Sequence, residues 1–154
     1  MSLLVLTCLQ HVLMYQKVLQ AFETEHQHFY KLEAIAMQLA NSNADKDCIE
    51  YGDAANQVMS RLKKGEGCVL KVGSLKYRYV IENLGDFPCL RVKTNLGRFS
   101  THHIRVSVLL LSDEGPDSLI QLRRLIPINL QPCIGEENQV NSGISSWRFI
   151  TGFP

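Results

Sequence analysis

The chain contains no glycine before Gly52 and no proline before Pro88. These two residue types most often end regular structure, so nothing in the first third of the sequence is expected to break a helix. Its apolar runs are short, and the longest of them, such as Leu3–Leu6, have four residues. A membrane-spanning helix needs about 20 apolar residues, so we expect no membrane partner.

The cysteines lack the pattern of a disulfide framework or of a zinc site. There are five of them, at positions 8, 48, 68, 89 and 133, and no two form a C-x-x-C pair. No N-x-S/T glycosylation signal occurs either. An odd number of widely spaced cysteines is typical of free thiols in a reducing compartment. The sequence therefore predicts a cytoplasmic protein with unpaired, mostly buried cysteines.

Catalytic and cofactor-binding motifs are also absent. The sequence has no G-x-S-x-G elbow, no G-x-G-x-x-G loop and no G-x-x-x-x-G-K-S/T loop. His26 and His28 would point to nearly opposite sides of a helix, and His102 and His103 would diverge on a strand, whereas metal ligands must converge. We predict no catalytic residues, no metal and no cofactor, and we favour a protein that is not an enzyme.

A single apolar stripe runs along the opening segment. Its members follow the three- and four-residue steps of one α-helix face: Leu4, Cys8, Val12, Tyr15, Leu19, Phe22, His26, Phe29, Leu32, Ala36 and Leu39. One helix over residues 2–40 would be about 58 Å long, whereas a compact chain of this size is roughly 40 Å across. Either the helix breaks, for which Thr24 and Gln27 offer a capping box, or a partner covers the stripe. Packing of the stripe on the chain's own sheet and an intermolecular helical interface both remain open.

The apolar period changes from 3.6 to 2 after a further predicted helix, which Asp45 or Asp47 would cap and which ends near Leu62. Four strand-like runs then cover residues 68–72, 75–82, 89–94 and 102–111. Tight turns at 73–74, 83–86 and 95–97 separate them, and this spacing is typical of an antiparallel meander.

The predicted fold class is α+β, in a single domain of residues 1–154. Helices over about 2–64 pack on a four-stranded antiparallel meander over about 67–111, and residues 112–154 form an irregular C-terminal segment. Within that segment we expect an acidic loop at 112–117, a short helix over Leu119–Leu125 and an apolar tail around Trp147 and Phe149 that docks on the body as a last strand.

Charge is spread unevenly although the net charge is only +1. Residues 1–60 carry a net −4, residues 61–105 a net +7, and residues 106–154 a net −2. Strand alternation places seven basic side chains on one face of the predicted sheet, opposite the helices. They are Lys71, Lys76, Arg78, Arg91, Lys93, His103 and Arg105. A solvated outer face, an acidic protein partner and a polyanion all remain open explanations for this pattern.

Two functional hypotheses follow. The leading one is a non-catalytic interaction or assembly protein, which forms a homodimer or docks a helical partner through Leu4, Val12, Tyr15, Leu19, Phe22, Phe29 and Leu39. The alternative is a module that binds nucleic acid or another polyanion through the seven basic residues. An enzyme of an unrecognised type would need a concave site with perturbed titratable groups.

Overall fold

The computed structural model describes residues 2–42, 48–52, 55–111 and 118–151, with the side chains of residues 2–6 and 55–56 outside the description. The predicted caps Asp45 and Asp47 and the predicted acidic loop at 112–117 lie outside the described residues. The described ranges contain two helices, α1 (Ser2–Asn41) and α2 (Ala55–Lys63). The strands are β1 (Ile49–Tyr51), β2 (Cys68–Val72), β3 (Leu75–Thr94), β4 (Gly97–Leu111), β5 (Ser118–Ile128), β6 (Asn138–Val140) and β7 (Gly143–Thr151).

The α+β class is confirmed, but the sheet is larger than the predicted meander. It has seven strands in the order β1-β3-β4-β5-β7, and β2 and β6 also pair with β3. Most pairs are antiparallel, whereas β1 and β6 run parallel to β3. The predicted irregular C-terminal segment is therefore wrong, since residues 118–151 supply three strands, among them β7 around Trp147 and Phe149.

The predicted helix over Leu119–Leu125 is wrong as well, because these residues lie in β5. This strand runs between β4 and β7. Its first five residues are all buried, which means that both of its faces are covered at this end. A strand covered on both faces loses the polar–apolar alternation that marks a half-buried strand.

The predicted turn at 83–86 is a bend within one long strand. β3 keeps its pairing with β4 along most of its length, with register shifts between Asn83 and Gly85 and between Phe87 and Val92. Gly85 has a φ of 87°, a value that favours glycine, and it follows Leu84, the extra residue of this bulge. Each shift inserts an odd number of extra residues into β3 and so reverses which face its next side chains occupy.

Helix α1 is continuous, and the residues that it buries against the sheet lie in its C-terminal part. Leu32, Ile35, Ala36 and Leu39 are buried against a sheet surface that includes Tyr77, Tyr79, Ile81, Val106 and Val108. These five residues all lie on the face of the sheet that packs against α1. The alternative of a break near Thr24 is excluded, because the Thr24 hydroxyl donates to the Gln20 carbonyl oxygen at 2.9 Å, a bond within the helix rather than a cap.

Helix α2 covers part of the opposite face. Val58 and Leu62 are fully buried there and pack with Val80, Leu109 and Leu119. Beyond α2, this second face of the sheet carries polar and charged side chains.

Two disulfides replace the predicted free thiols. Cys48 is bonded to Cys68 and Cys89 to Cys133, which leaves Cys8 as the free and exposed cysteine. The first pair meets because both segments pair with the same strand, Ile49 opposite Ile81 and Cys68 opposite Tyr79. The two disulfides join cysteines 20 and 44 positions apart, and the local spacing of the cysteines does not predict such pairings. Because the reducing compartment was predicted from free thiols, these bonds remove the basis for that prediction. No helix among the described residues is long and apolar enough to cross a membrane.

Candidate functional site

The N-terminal half of α1 projects beyond the sheet. Every residue from Thr7 to Gln27 is exposed, a length of about 30 Å, while the buried residues of the helix begin at Leu32. We call this segment, residues 7–27, the overhang. The full helix has 40 residues and is about 60 Å long, so the sheet covers less than half of it.

Large apolar side chains cover the overhang. Their exposed fractions lie between 49% and 68%: Leu9, Val12, Leu13, Met14, Tyr15, Val18, Leu19 and Phe22. Leu13 lies across the helix from Phe22, so the apolar surface is not confined to one side. A helix with apolar side chains on all sides is normally buried. Single exposed apolar side chains are common on protein surfaces, whereas a contiguous patch such as this one marks a contact surface.

Four of the predicted interface residues lie on the overhang. Val12, Tyr15, Leu19 and Phe22 are all exposed there. Phe29 is half-buried where the helix reaches the sheet, and Leu39 is buried against the sheet, so the chain's own core uses Leu39. The backbone of Leu4 is helical, and its side chain lies outside the described residues.

An apolar recess of about 360 Å³ opens where α1 leaves the sheet. Phe22, His26 and Phe29 line it from the helix, and Trp147 and Phe149 line it from β7. The Phe29 ring lies 5.4 Å from that of Trp147 and 5.2 Å from that of Phe149. The Thr151 hydroxyl donates to Glu25 at 2.9 Å and fixes the end of β7 to the helix. The recess therefore continues the apolar stripe from the overhang onto the body.

The seven predicted basic residues do not share one face of the sheet. Arg78 and Arg105 lie on the α2 side, because their partners Leu109 and Glu82 belong to that face. The odd shift between Phe87 and Val92 turns Arg91 and Lys93 to the α1 side, next to Ser100 and Arg98. The prediction of a single basic face is wrong for this reason.

Several of these residues are also engaged within the chain. Arg105 makes two 2.6 Å hydrogen bonds to Glu82. Arg91 is buried and bonds to Ser100, Gln131 and Glu137. Arg78 donates to the Leu62 carbonyl oxygen at 3.1 Å. Lys71 and Lys76 are exposed directly opposite each other on β2 and β3, and Lys93 is exposed near the far end of β3.

His103 is the most perturbed titratable group on the α2 side. It is 2% exposed and stacks on Phe87 with ring centroids 4.1 Å apart. Its Nδ1 accepts hydrogen bonds from Arg123 at 2.6 and 3.1 Å, and its Nε2 lies 3.0 Å from the Thr101 hydroxyl. Burial, Arg123 and His102, in that order, lower the pKa of His103 to about 4. The imidazole is thus neutral at pH 7, an acceptor for Arg123 rather than a cation.

The tail also contributes residues that the sequence did not single out. Arg123 on β5 and Arg148 on β7 line a cleft on the α2 side. The predicted helix over residues 119–125 does not bring these residues together. The register of β5 with β7 does, because it places Arg123 opposite Ser146 and Gln121 opposite Arg148. In the part of the chain that the structure describes, no three His, Cys, Asp or Glu side chains come together as metal ligands. No family model, curated protein or solved structure matches this chain.

Proposed function

We propose that this protein is a non-catalytic assembly protein that self-associates through the overhang of α1. The observation that carries the proposal is the exposure of eight large apolar side chains along one continuous helix. Leaving such a contiguous surface in water costs about 25 cal/mol per Å² of apolar area that could be buried. A partner that covers it removes this cost.

The spacing of the stripe supports a helical occupant. From Cys8 to Phe29 the apolar positions alternate steps of four and three residues, the repeat that lets two helices interlock side chains. Cys8, Val12, Tyr15, Leu19, Phe22, His26 and Phe29 are the members of this repeat. Helices with such a repeat pack at about 20° and 8–10 Å apart.

The low charge of the overhang favours a second copy of the chain. Between Thr7 and Phe22 the only Asp, Glu, Lys or Arg residue is Lys17, so two copies would bring no repulsive charge clusters together. A strongly charged partner would find only Lys17 as a charged group between these two residues and Glu23 and Glu25 beyond them.

We propose an antiparallel arrangement of the two copies. If Leu19 of one helix packs beside Phe22 of the other, then Val12 of each lies level with Phe29 of the other, at the mouth of its apolar recess. Each overhang would thus be covered by the partner's helix and by the body where that helix joins it. The side of the overhang around Leu9 and Leu13 would remain for contacts between dimers.

The compartment follows from the disulfides. Stable disulfides form and persist in oxidising environments, so we propose an oxidising rather than a reducing compartment for the protein.

The test is the solution mass, measured by light scattering on a sizing column at low and high salt. We expect a dimer or a multiple of it that survives high salt, because an apolar interface is not screened. Leu19→Asp combined with Phe22→Asp should give a folded monomer of about 17 kDa. The matched control is Gln20→Asp combined with Thr24→Asp, which adds the same charge on the side of the helix away from the stripe.

The control should retain the dimer. A wild-type monomer at all concentrations would refute self-association and point to a different helical partner. Loss of folding in the Leu19/Phe22 variant, detected by circular dichroism, would contradict the exposed position of the overhang.

A further inference from the structure

A cleft of about 330 Å³ lies on the α2 side of the sheet, next to the edge strand β7. The polar residues of its lining are Arg105 from β4, Gln121 and Arg123 from β5, and Ser146 and Arg148 from β7. Ser146 lies opposite Arg123 and Arg148 opposite Gln121. Arg123 and Arg148 are therefore diagonal neighbours on one face, with backbones roughly 7–8 Å apart, so both guanidinium groups can reach one small ligand.

Each arginine of the cleft is held in place. Arg105 is bound by Glu82, which neutralises its charge. Arg123 donates to His103 Nδ1, and its guanidinium carbon lies 5.3 Å from the centre of the Phe87 ring. Arg148 donates to the Gln121 side-chain oxygen at 2.9 Å and to the Met59 sulfur at 3.3 Å.

The acceptors that hold Arg123 and Arg148 are neutral groups. His103 is uncharged at pH 7, and Gln121 and Met59 carry no charge at any pH. Within the described ranges of the chain, neither of these two arginines forms an ion pair with a carboxylate. The cleft thus holds two positive charges that its own walls do not balance.

We propose that this cleft binds a dianionic phosphate group. Two uncompensated guanidinium groups match the charge of a phosphate at neutral pH, whereas a carboxylate would balance only one of them. The planar fork of arginine pairs with two phosphate oxygens at once, and Ser146 adds a hydroxyl donor. Side chains already fixed by His103, Phe87, Gln121 and Met59 lose little further freedom on binding. This site does not depend on the overhang or on self-association.

The experiment is a titration of the whole protein with inorganic phosphate at low ionic strength, followed by backbone amide NMR shifts of β5 and β7. Chloride at matched ionic strength controls for general screening, and acetate tests for carboxylates. Glycerol 3-phosphate, a phosphate monoester, distinguishes a phosphate carried on a larger molecule from the free ion by binding more tightly. We expect saturable shifts with phosphate and its ester and none with chloride or acetate.

Two variants test the assignment. Arg148→Gln should weaken phosphate binding by about tenfold or more, the loss expected for one charge-assisted hydrogen-bond pair. Gln121→Glu places a carboxylate beside Arg148, where the Ser107 hydroxyl, which now accepts from Gln121 at 2.8 Å, can donate to it. It should reduce phosphate binding by a similar factor without removing any arginine.

The control is Lys71→Gln, which removes one positive charge from β2, a strand at the opposite side of the sheet from β7. It should bind phosphate as the wild type does. Unsaturable shifts, equal effects of phosphate and chloride, or undiminished binding in Arg148→Gln would each overturn the proposal.

Discussion

His103 is a buried base whose hydrogen bonds require the neutral form. Arg123 occupies Nδ1 as a donor, so the ring proton is on Nε2 and faces the Thr101 hydroxyl. A second proton on Nδ1 would meet a guanidinium group inside a dry site. A histidine pointing outward from a solvated basic strand, as its sequence position suggests, would have none of these constraints.

The pKa of His103 makes the protein sensitive to acid. The group titrates near 6.5 when unfolded and near 4 when folded, so below pH 6.5 the unfolded chain binds a proton that the folded chain refuses. The contribution of His103 to stability is complete above pH 6.5 and is lost as the pH falls towards 4. Between pH 7 and pH 5 we expect a loss of about 2 kcal/mol in the free energy of unfolding. Urea denaturation at the two pH values measures it.

The matched variant is His103→Gln, which cannot take up a proton in this range. Its stability should fall less between pH 7 and pH 5 than that of the wild type. Parallel losses in the two proteins would show that other groups cause the acid sensitivity.

Arg91 and Arg98 share the carboxylate of Glu137 but differ in burial. Arg91 is 5% exposed and also donates to Ser100 and to the Gln131 carbonyl oxygen, so it fixes the segment before β6 to β3. Arg91→Met should cost about 2 kcal/mol, because it leaves the Gln131 carbonyl oxygen without this donor, while the Ser100 hydroxyl keeps the hydrogen bond from the Gln131 backbone N–H. Arg98→Met, at an exposed position, should cost less than about 1 kcal/mol. Chemical denaturation of both variants tests the contrast, and equal costs would refute it.

Two of the four alanines of helix α1 lie in opposite environments. Ala36 is fully buried against the sheet, whereas Ala21 is exposed on the overhang. Alanine and leucine have similar helix propensities, so any difference between the two substitutions reports packing. Ala36→Leu should destabilise the protein by about 1–3 kcal/mol through overpacking, while Ala21→Leu should change stability by less than about 0.5 kcal/mol. Thermal and urea unfolding of the two single variants measures both effects. A larger loss of stability in Ala21→Leu than in Ala36→Leu would contradict the packing of the C-terminal part of α1 on the sheet.

The sequence predicted that residues 2–40 are helical because the stripe keeps a helical period from Cys8 to Leu39 and no glycine or proline interrupts it, but it left open whether the helix breaks near Thr24. It predicted the first strands for a similar reason, since Leu75, Tyr77 and Tyr79 alternate with Lys76 and Arg78. The sequence did not predict β5, because the consecutive residues Leu119 and Ile120 point to opposite faces of the strand and are both buried, so polar and apolar residues do not alternate there. The sequence also did not predict the face of the sheet on which Arg91 and Lys93 lie. That face depends on a bulge in the pairing of β3 with β4, and the sequence of one strand alone does not show where such a bulge lies.

The candidate sites show the same division. The overhang could be predicted from helix length against domain size, a comparison that needs only the chain length. The recess forms only where β7 lies beside α1, and the arginine cleft forms only where β7 lies beside β5. The contact of β7 with α1 joins residues more than a hundred positions apart, as Glu25 and Thr151 show. Such long-range pairs leave no periodic signal in the sequence.

The two disulfides join distant parts of the chain and should contribute strongly to its stability. They close loops of 20 and 44 residues, and restricting loops of these lengths in the unfolded chain is worth about 3 and about 4 kcal/mol. Alkylation and mass spectrometry of the native protein should find one reactive thiol, at Cys8, and five after reduction under denaturing conditions. Reduction should also lower the urea midpoint. Five reactive thiols without reductant would contradict both bonds.

The one-piece character of α1 gives the protein a rigid lever arm. Because the helix has no break between its tip and the sheet, whatever holds the overhang also fixes the orientation of the body at the other end. A tilt of about 10° where α1 leaves the sheet at Phe29 would displace the far end of the overhang by about 5 Å over its length of about 30 Å. The aromatic contacts among Phe29, Trp147 and Phe149 lie at this fulcrum, so their packing sets the angle at which the sheet is presented to its surroundings.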